Sequence, residues 1–176
     1  MLKLPNLTKA LVAGLLSAVA GTSAYAAERI SDFSLVDADG RFFQLSRHTN
    51  QEAVVLLAYD ADSRDARRAV SDLSEIAEQF ADQAVTIAIM DVTGSTEKAA
   101  MREEAAEEDI PFRILMDETQ LVTAELGITL AAEVVVIDPE AREVIYRGAL
   151  SSRHAEGSRS ERREGSYLSE ALTSVF

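Results

Sequence analysis

The chain has 176 residues, 47% of them hydrophobic, with 30 acidic side chains against 17 basic ones and a net charge of −13. That acidity opposes binding to nucleic acid or to an anionic lipid surface, so neither is expected as a partner. There is no cysteine, which excludes thiol chemistry within this chain.

Residues 1–26 read as a secretory signal. Lys3 and Lys9 precede an apolar segment, Ala10 to Ala20, and Ala24-Tyr25-Ala26 fits a small-residue cleavage site. The apolar segment is shorter than the ~20 residues of a membrane span, and a retained N-terminal anchor is the alternative. Residues 27–176, with a net charge of −15 once Lys3 and Lys9 are gone, are enough for one domain with a sizeable core.

In the segment Phe33 to Leu45, two strand-like runs flank Asp39-Gly40, a pair suited to a hairpin turn. Asp37 and Asp39 are turn residues rather than calcium ligands, because the rest of an EF-hand loop is missing. Ala53 to Ala58 (AVVLLA) is a continuous apolar run, the pattern of a strand buried on both faces. An acidic bend follows over Tyr59 to Ser63. Then Ala66, Val70, Leu73, Ile76, Ala77 and Phe80 recur at helical spacing and predict one apolar stripe. Asp62 with Asp65 three residues on predicts a helix start of capping-box type.

Ala84 to Met90 predicts a second buried strand, and Thr96 to Glu108 an Ala/Glu-rich helix stopped by Pro111. Phe112 to Met116 predicts a third strand. A short helix is expected from Asp117 to Leu126 with Gly127 as its C-terminal cap. Ala132 to Asp138 and Glu143 to Arg147 predict a hairpin around Pro139, broken by Gly148. Ser151 to Ser166 reads as a polar mobile loop, and Tyr167 to Phe176 as a last helix.

Strand, bend and helix over Ala53 to Phe80 resemble the active-site unit of the thioredoxin-like redoxins, the alkyl hydroperoxide reductase and thiol-specific antioxidant branch included. Asp32, Phe33, Leu35, Asp37, Asp39 and Gly40 also match a redoxin pattern, D-F-x-L-x-D-x-D-G. DETQLVTAELGIT (Asp117 to Thr129) and EVVVIDPE (Glu133 to Glu140) are similar to redoxin stretches in wording as well as order. The resemblance covers nearly all of residues 27–176 and implies an α/β, thioredoxin-like fold: a central mixed sheet flanked by helices, with an N-terminal β-hairpin.

It also implies where a site would lie. The family's nucleophilic cysteine falls on Ser63, the proline that often follows on Arg64, a possible second cysteine on Ala66 and an arginine on Arg67. The cis-proline of this fold, which shapes the groove where substrate backbone docks, falls on Ala132. A non-proline cis bond costs ~3 kcal/mol, so a trans peptide and a reshaped loop are expected there. Arg147 resembles a position often kept near the active-site edge.

Ser63 lacks the sulfur that redox exchange requires. As a hydrolytic nucleophile it would need an adjacent base and an oxyanion hole. His48 and His154, the chain's two histidines, stand in no such motif. It is therefore expected to cap the helix or shape the bend. Asp60, Asp62 and Asp65 complement the helix dipole in one reading and form a cation site or a basic partner's docking point in another. Arg64, Arg67 and Arg68 are expected in local ion pairs. Arg153, His154, Arg159, Arg162 and Arg163 make a locally basic loop, interleaved with Glu156, Glu161 and Glu164.

These readings converge on an exported, periplasmic, non-catalytic redoxin-like protein that binds or helps assemble a protein partner. Asp60, Asp62, Arg64 and Arg147 are candidate binding residues, and neither cofactor nor metal is expected. The alternatives are a redox subunit whose thiols or cofactor come from a partner, and an unrelated exported enzyme using the acid cluster.

Overall fold

A computed structural model describes residues 28–154 and 166–176. The expected signal segment, residues 1–26, and residues 155–165 of the expected polar loop lie outside the described residues. One eight-stranded mixed sheet runs in the order β1-β8-β7-β4-β5-β6-β2-β3. Its strands are β1 (Glu28–Arg29), β2 (Ser34–Asp37), β3 (Phe42–Gln44), β4 (Ala53–Tyr59), β5 (Val85–Asp91), β6 (Arg113–Met116), β7 (Glu133–Asp138) and β8 (Glu143–Ala149). The helices are α1 (Arg64–Gln79), α2 (Lys98–Glu107), α3 (Leu121–Glu125) and α4 (Tyr167–Thr173), with a 3₁₀ turn at Leu45–His48.

The apolar run that begins at Ala53 becomes the centre of the sheet. β4 pairs in parallel with β5 and antiparallel with β7, and all seven of its residues have zero exposure. A strand hydrogen-bonded on both sides can be apolar on both faces only if both faces are covered. Here they are. Val55, Leu57 and Tyr59 meet Ala66, Ala69, Val70, Leu73 and Ile76 of α1 together with Leu168 and Leu172 of α4. Val54, Leu56 and Ala58 meet Phe33, Leu35 and Phe43 of the N-terminal hairpin and Val122 and Leu126 on α3's side. Each such aliphatic side chain, fully buried, contributes ~1.5–3 kcal/mol. Among the described residues no helix is long and apolar enough to cross a membrane.

Several boundaries differ from the sequence reading. Of the two expected helix starts, Ser63 rather than the Asp62/Asp65 pair caps α1, as its expected capping role allowed: its backbone is extended and its hydroxyl accepts from Ala66 N at 3.2 Å. α2 begins at Lys98 and ends at Glu107, four residues before Pro111, with Asp109 reversing the chain at φ +49°. Gly148 does not break β8, because it pairs with Val134 and the strand continues to Ala149. α3 is a single short turn. Asp117 sits outside it yet caps it, its Oδ2 accepting from Thr123 N at 2.7 Å and Thr123 Oγ1 at 2.8 Å. Gly127 follows α3 in the left-handed conformation (φ +63°), as its placement predicted. The start of the expected mobile loop is anchored: His154 is half-buried, with Nε2 2.8 Å from Asp72 Oδ2 on α1.

The N-terminal hairpin is tied to the sheet by one carboxylate. Asp37, 1% exposed, accepts from Arg41 N at 2.7 Å, Asp39 N at 3.1 Å, Arg41 Nε at 2.9 Å and Arg113 Nε at 2.8 Å. Burial acts to raise its pKa, but the hydrogen bonds from Arg41 and Arg113 outweigh burial and hold it below the ordinary carboxylate value. Turn chemistry therefore accounts for Asp37 and Asp39. Because the folded-state value is depressed, this stabilisation is present above the ordinary carboxylate pKa and lost as pH falls through the lowered one. Asp37→Ala is expected to cost about 2–3 kcal/mol in urea unfolding at neutral pH, with the deficit shrinking in acid.

Candidate functional site

β4 ends at Tyr59 and the chain turns at once. Asp60 closes the bend twice, its Oδ1 accepting from Asp62 N and its carbonyl from Ser63 N, both at 2.9 Å. Ser63 then caps α1 and its carbonyl accepts from Arg67 N at 3.1 Å. Ala66, where a second cysteine would fall, is a fully buried methyl facing the core. Arg67 reaches back across the bend, its Nη1 donating to Ala61 O. It also lies 3.9 Å from Glu104 on α2 and 3.7 Å from Glu108, which caps the end of that helix. Glu104 in turn accepts from the buried Tyr59 hydroxyl at 2.7 Å. Burial first, and then the Glu104 carboxylate, push the Tyr59 phenol far above its ordinary pKa, so it is a fixed donor. One polar chain, Tyr59–Glu104–Arg67–Ala61, thus ties β4, α2, α1 and the bend together.

The residue expected at the cis-proline position closes against the same strand end. Ala132 is buried, its peptide is trans, and its N–H donates to Ala58 O at 2.8 Å. Its φ is +69°, which is unfavourable for an alanine by ~1–2 kcal/mol. The hydrogen bond into β4 and the grip of Glu133 hold it there. Glu133 Oε2 accepts from Thr129 N at 2.8 Å and Leu130 N at 2.9 Å, folding the preceding loop back on itself.

Ser63, Ala66, Arg67 and Ala132 are thus brought to one end of the sheet, with Ala66 and Ala132 in one apolar cluster. Arg147 is not among them. Its partner on β7 is Val135, which belongs to the opposite core, and its Nη1 donates to Leu126 O at 2.8 Å and to Glu28 Oε2 at 3.2 Å. It clamps the end of α3, and a Cβ at Gly127 would collide with its guanidinium. Arg64, Asp62 and Asp65 are exposed. Asp65 pairs with Arg68 at 3.5 Å, the local ion pair expected of an exposed helix start.

The histidines stand apart from Ser63. His154 contacts Asp72, nine residues along α1 and hence ~13 Å from the cap. His48 stacks on Phe43 and lies 3.1 Å from Thr86, near the far end of β5 from Asp91, ~16 Å along the strand. Ser63 has no histidine base. Among the described residues no group of three His, Asp or Glu side chains is placed to hold a metal ion.

Beside Ala132 opens a cleft of about 410 Å³, walled by Asp60, Thr93, Gln120, Thr123, Ile128 and Leu130 among others. It lies beyond the carboxyl ends of β4 and β5. Gln120, itself left-handed at φ +55°, donates its side-chain amide to Val92 O at 2.9 Å and Thr93 O at 2.8 Å, joining the loop after β5 to the start of α3. Asp91, 1% exposed, lies behind Thr93, its Oδ1 accepting from the Thr93 hydroxyl at 2.8 Å. Burial raises the Asp91 pKa, the Thr93 hydrogen bonds oppose it and the nearby Asp60 charge adds to the rise. Of these wall residues the sequence reading singled out Asp60 alone. Gln120 and Glu133 carried no usable signal, because nothing in an isolated Gln or Glu tells which loop it will grip.

The chain order, the mixed sheet and the cap-and-loop meeting at the end of β4 define a thioredoxin-like fold. The chain matches the AhpC/TSA family over residues 26–147 and belongs to that family. Similar solved structures include the peroxidoxin BcpB from Mycobacterium tuberculosis, at a TM-score of 0.63 and 18% identity over 85% of this chain and 94% of that one. The pneumococcal exposed lipoprotein thioredoxin Etrx1 from Streptococcus pneumoniae gives 0.63 and 16%, over 81% and 99%. A secreted Mycobacterium tuberculosis disulfide oxidoreductase gives 0.60 and 15%, over 81% and 96%. No curated protein matches the chain.

Two substitutions check the local physics. Ser63→Ala is expected to lower stability by about 1 kcal/mol, the usual worth of a lost N-cap, read by thermal or urea unfolding. At Ala132, proline would impose φ near −65° and remove the N–H that Ala58 O accepts, so Ala132→Pro is expected to cost about 3 kcal/mol. Ala132→Gly, free to adopt positive φ, is expected to match or exceed the parent's stability.

Proposed function

We propose that this protein is an exported, non-catalytic member of its family that binds a protein partner through the surface around Ser63 and the Ala132 loop, the 410 Å³ cleft included. The observation that carries the reading is the chemistry at the start of α1. The residue aligned with the family's nucleophile is an oxygen donor group whose lone pair accepts the Ala66 N–H, and the chain contains no sulfur nucleophile at all. A helix N-terminus favours an anion by about 1 kcal/mol at most sites, which leaves a serine hydroxyl fully protonated at neutral pH. With the histidines committed elsewhere, neither acyl transfer nor disulfide exchange has its parts.

Export to the periplasm rests on the signal-like pattern of residues 1–26. It is in keeping with neighbours of the same fold described as secreted or exposed. Redox work through a partner's thiols is the second reading, and one experiment separates the two. The purified protein is expected to reduce insulin and consume peroxide no faster than a protein-free blank with added thiol. Turnover above that blank would overturn the non-catalytic reading.

A further inference from the structure

The cleft beside the Ala132 loop has an unusual donor–acceptor balance. Among the described residues its lining has one carboxylate, Asp60, and no basic side chain. The hydroxyl and amide donors of its wall are turned inward. Thr93 Oγ1 donates to Asp91 at 2.8 Å, Thr123 Oγ1 to Asp117 at 2.8 Å, and the Gln120 amide to two backbone carbonyls. The N–H groups of Thr129 and Leu130 are taken by Glu133. Three carboxyl groups, Asp91, Asp117 and Glu133, therefore stand one hydrogen bond behind the lining, and Asp117 keeps one buried oxygen without a partner. What the wall still offers is lone pairs, one carboxylate and an apolar side made by Ile128 and the 47%-exposed Leu130. Of the arginines nearest to Asp60 along the chain, Arg64 is an exposed residue of α1 outside the cleft lining, and Arg67 is held at Ala61 and beside Glu104 and Glu108.

A ligand for such a wall must bring donors and positive charge on an apolar stem. Guanidinium and ammonium groups do so, and their alkyl chains pack on apolar surface while the head reaches an acceptor. We propose that the cleft receives a lysine or arginine side chain from a basic segment of the partner protein, with the adjacent apolar residue of that segment against Ile128 and Leu130. This rests on the binding role proposed above and names the partner's chemistry. The acidity of the whole chain, −13, adds long-range attraction for such a segment.

The test uses the full chain and fluorescein-labelled peptides. Ser-Lys-Leu-Lys-Ser is expected to bind, more weakly as salt rises, and its Glu-for-Lys counterpart to bind at least about tenfold less tightly. Asp60→Asn keeps the Oδ1 that accepts from Asp62 N, so the bend survives, and is expected to weaken the lysine peptide about tenfold. Leu130→Lys, at an exposed position, introduces a competing cation and should weaken it as well. Amide NMR shifts should concentrate at Thr93, Thr123 and Thr129. Equal binding of the acidic peptide, indifference to both substitutions, or shifts confined to other surfaces would overturn the proposal. So would lysine methylamide alone binding as tightly as the peptide, which would make this a small-amine site, or a second copy of this chain occupying the cleft in sedimentation. Thiol-dependent turnover would sink the non-catalytic reading without touching the charge selectivity measured here.

Discussion

The backbone pairing of β4 on both of its edges is the constraint from which the other features follow. With β5 on one side and β7 on the other, the strand has no choice of face for its side chains: both must be apolar, and both must be covered. α1 and α4 cover one, the N-terminal hairpin and α3 the other. The strand's abrupt end then dictates that the bend, the cap of α1, and the Ala132 loop gather at a single point, because Ala58 O and the chain that leaves Tyr59 both emerge there.

At that point the contacts are made by oxygen and nitrogen groups. The helix start is closed by a serine hydroxyl, the bend is gripped by Arg67, and Glu104 connects Arg67 to a buried phenol. Such a network stabilises through many modest contributions, each of the order of 1 kcal/mol. The neighbouring cleft has the opposite character. Its polar groups are satisfied inward rather than across it, so it remains open and carries the field of the acids behind it.

Much of the architecture was legible because period and composition speak directly of burial. Six apolar residues in a row announced β4, and the stripe from Ala66 to Phe80 announced α1. The capping residue was legible only as one of two options, Ser63 or an Asp62/Asp65 start. Asp62, Ser63 and Asp65 are all competent helix-start residues, and only the turn closed by Asp60 decides that Ser63 holds the extended backbone a cap needs. Gly148 misled for a similar reason: glycine breaks an exposed strand readily, but here Val134 pairs with it and the ladder continues. Arg147 was placed by resemblance at an active-site edge. Its register opposite Val135 sends it to the other face, a consequence of strand alternation counted across the Ile145 bulge, which no single sequence displays. The cleft was hidden because it is made of loop residues whose partners lie far apart in the chain, Gln120 with Thr93 and Glu133 with Leu130.

The left-handed alanine at 132 bears on what a thiol placed at the start of α1 would find beside it. A cysteine at 63 takes one substitution, but the loop beside it follows a backbone path, φ +69° at Ala132, that a proline cannot adopt. The N–H of residue 132 is engaged by β4, and proline has none to give. A thiol at 63 would therefore face a loop whose path excludes a proline at 132 unless the hydrogen bond into β4 is given up.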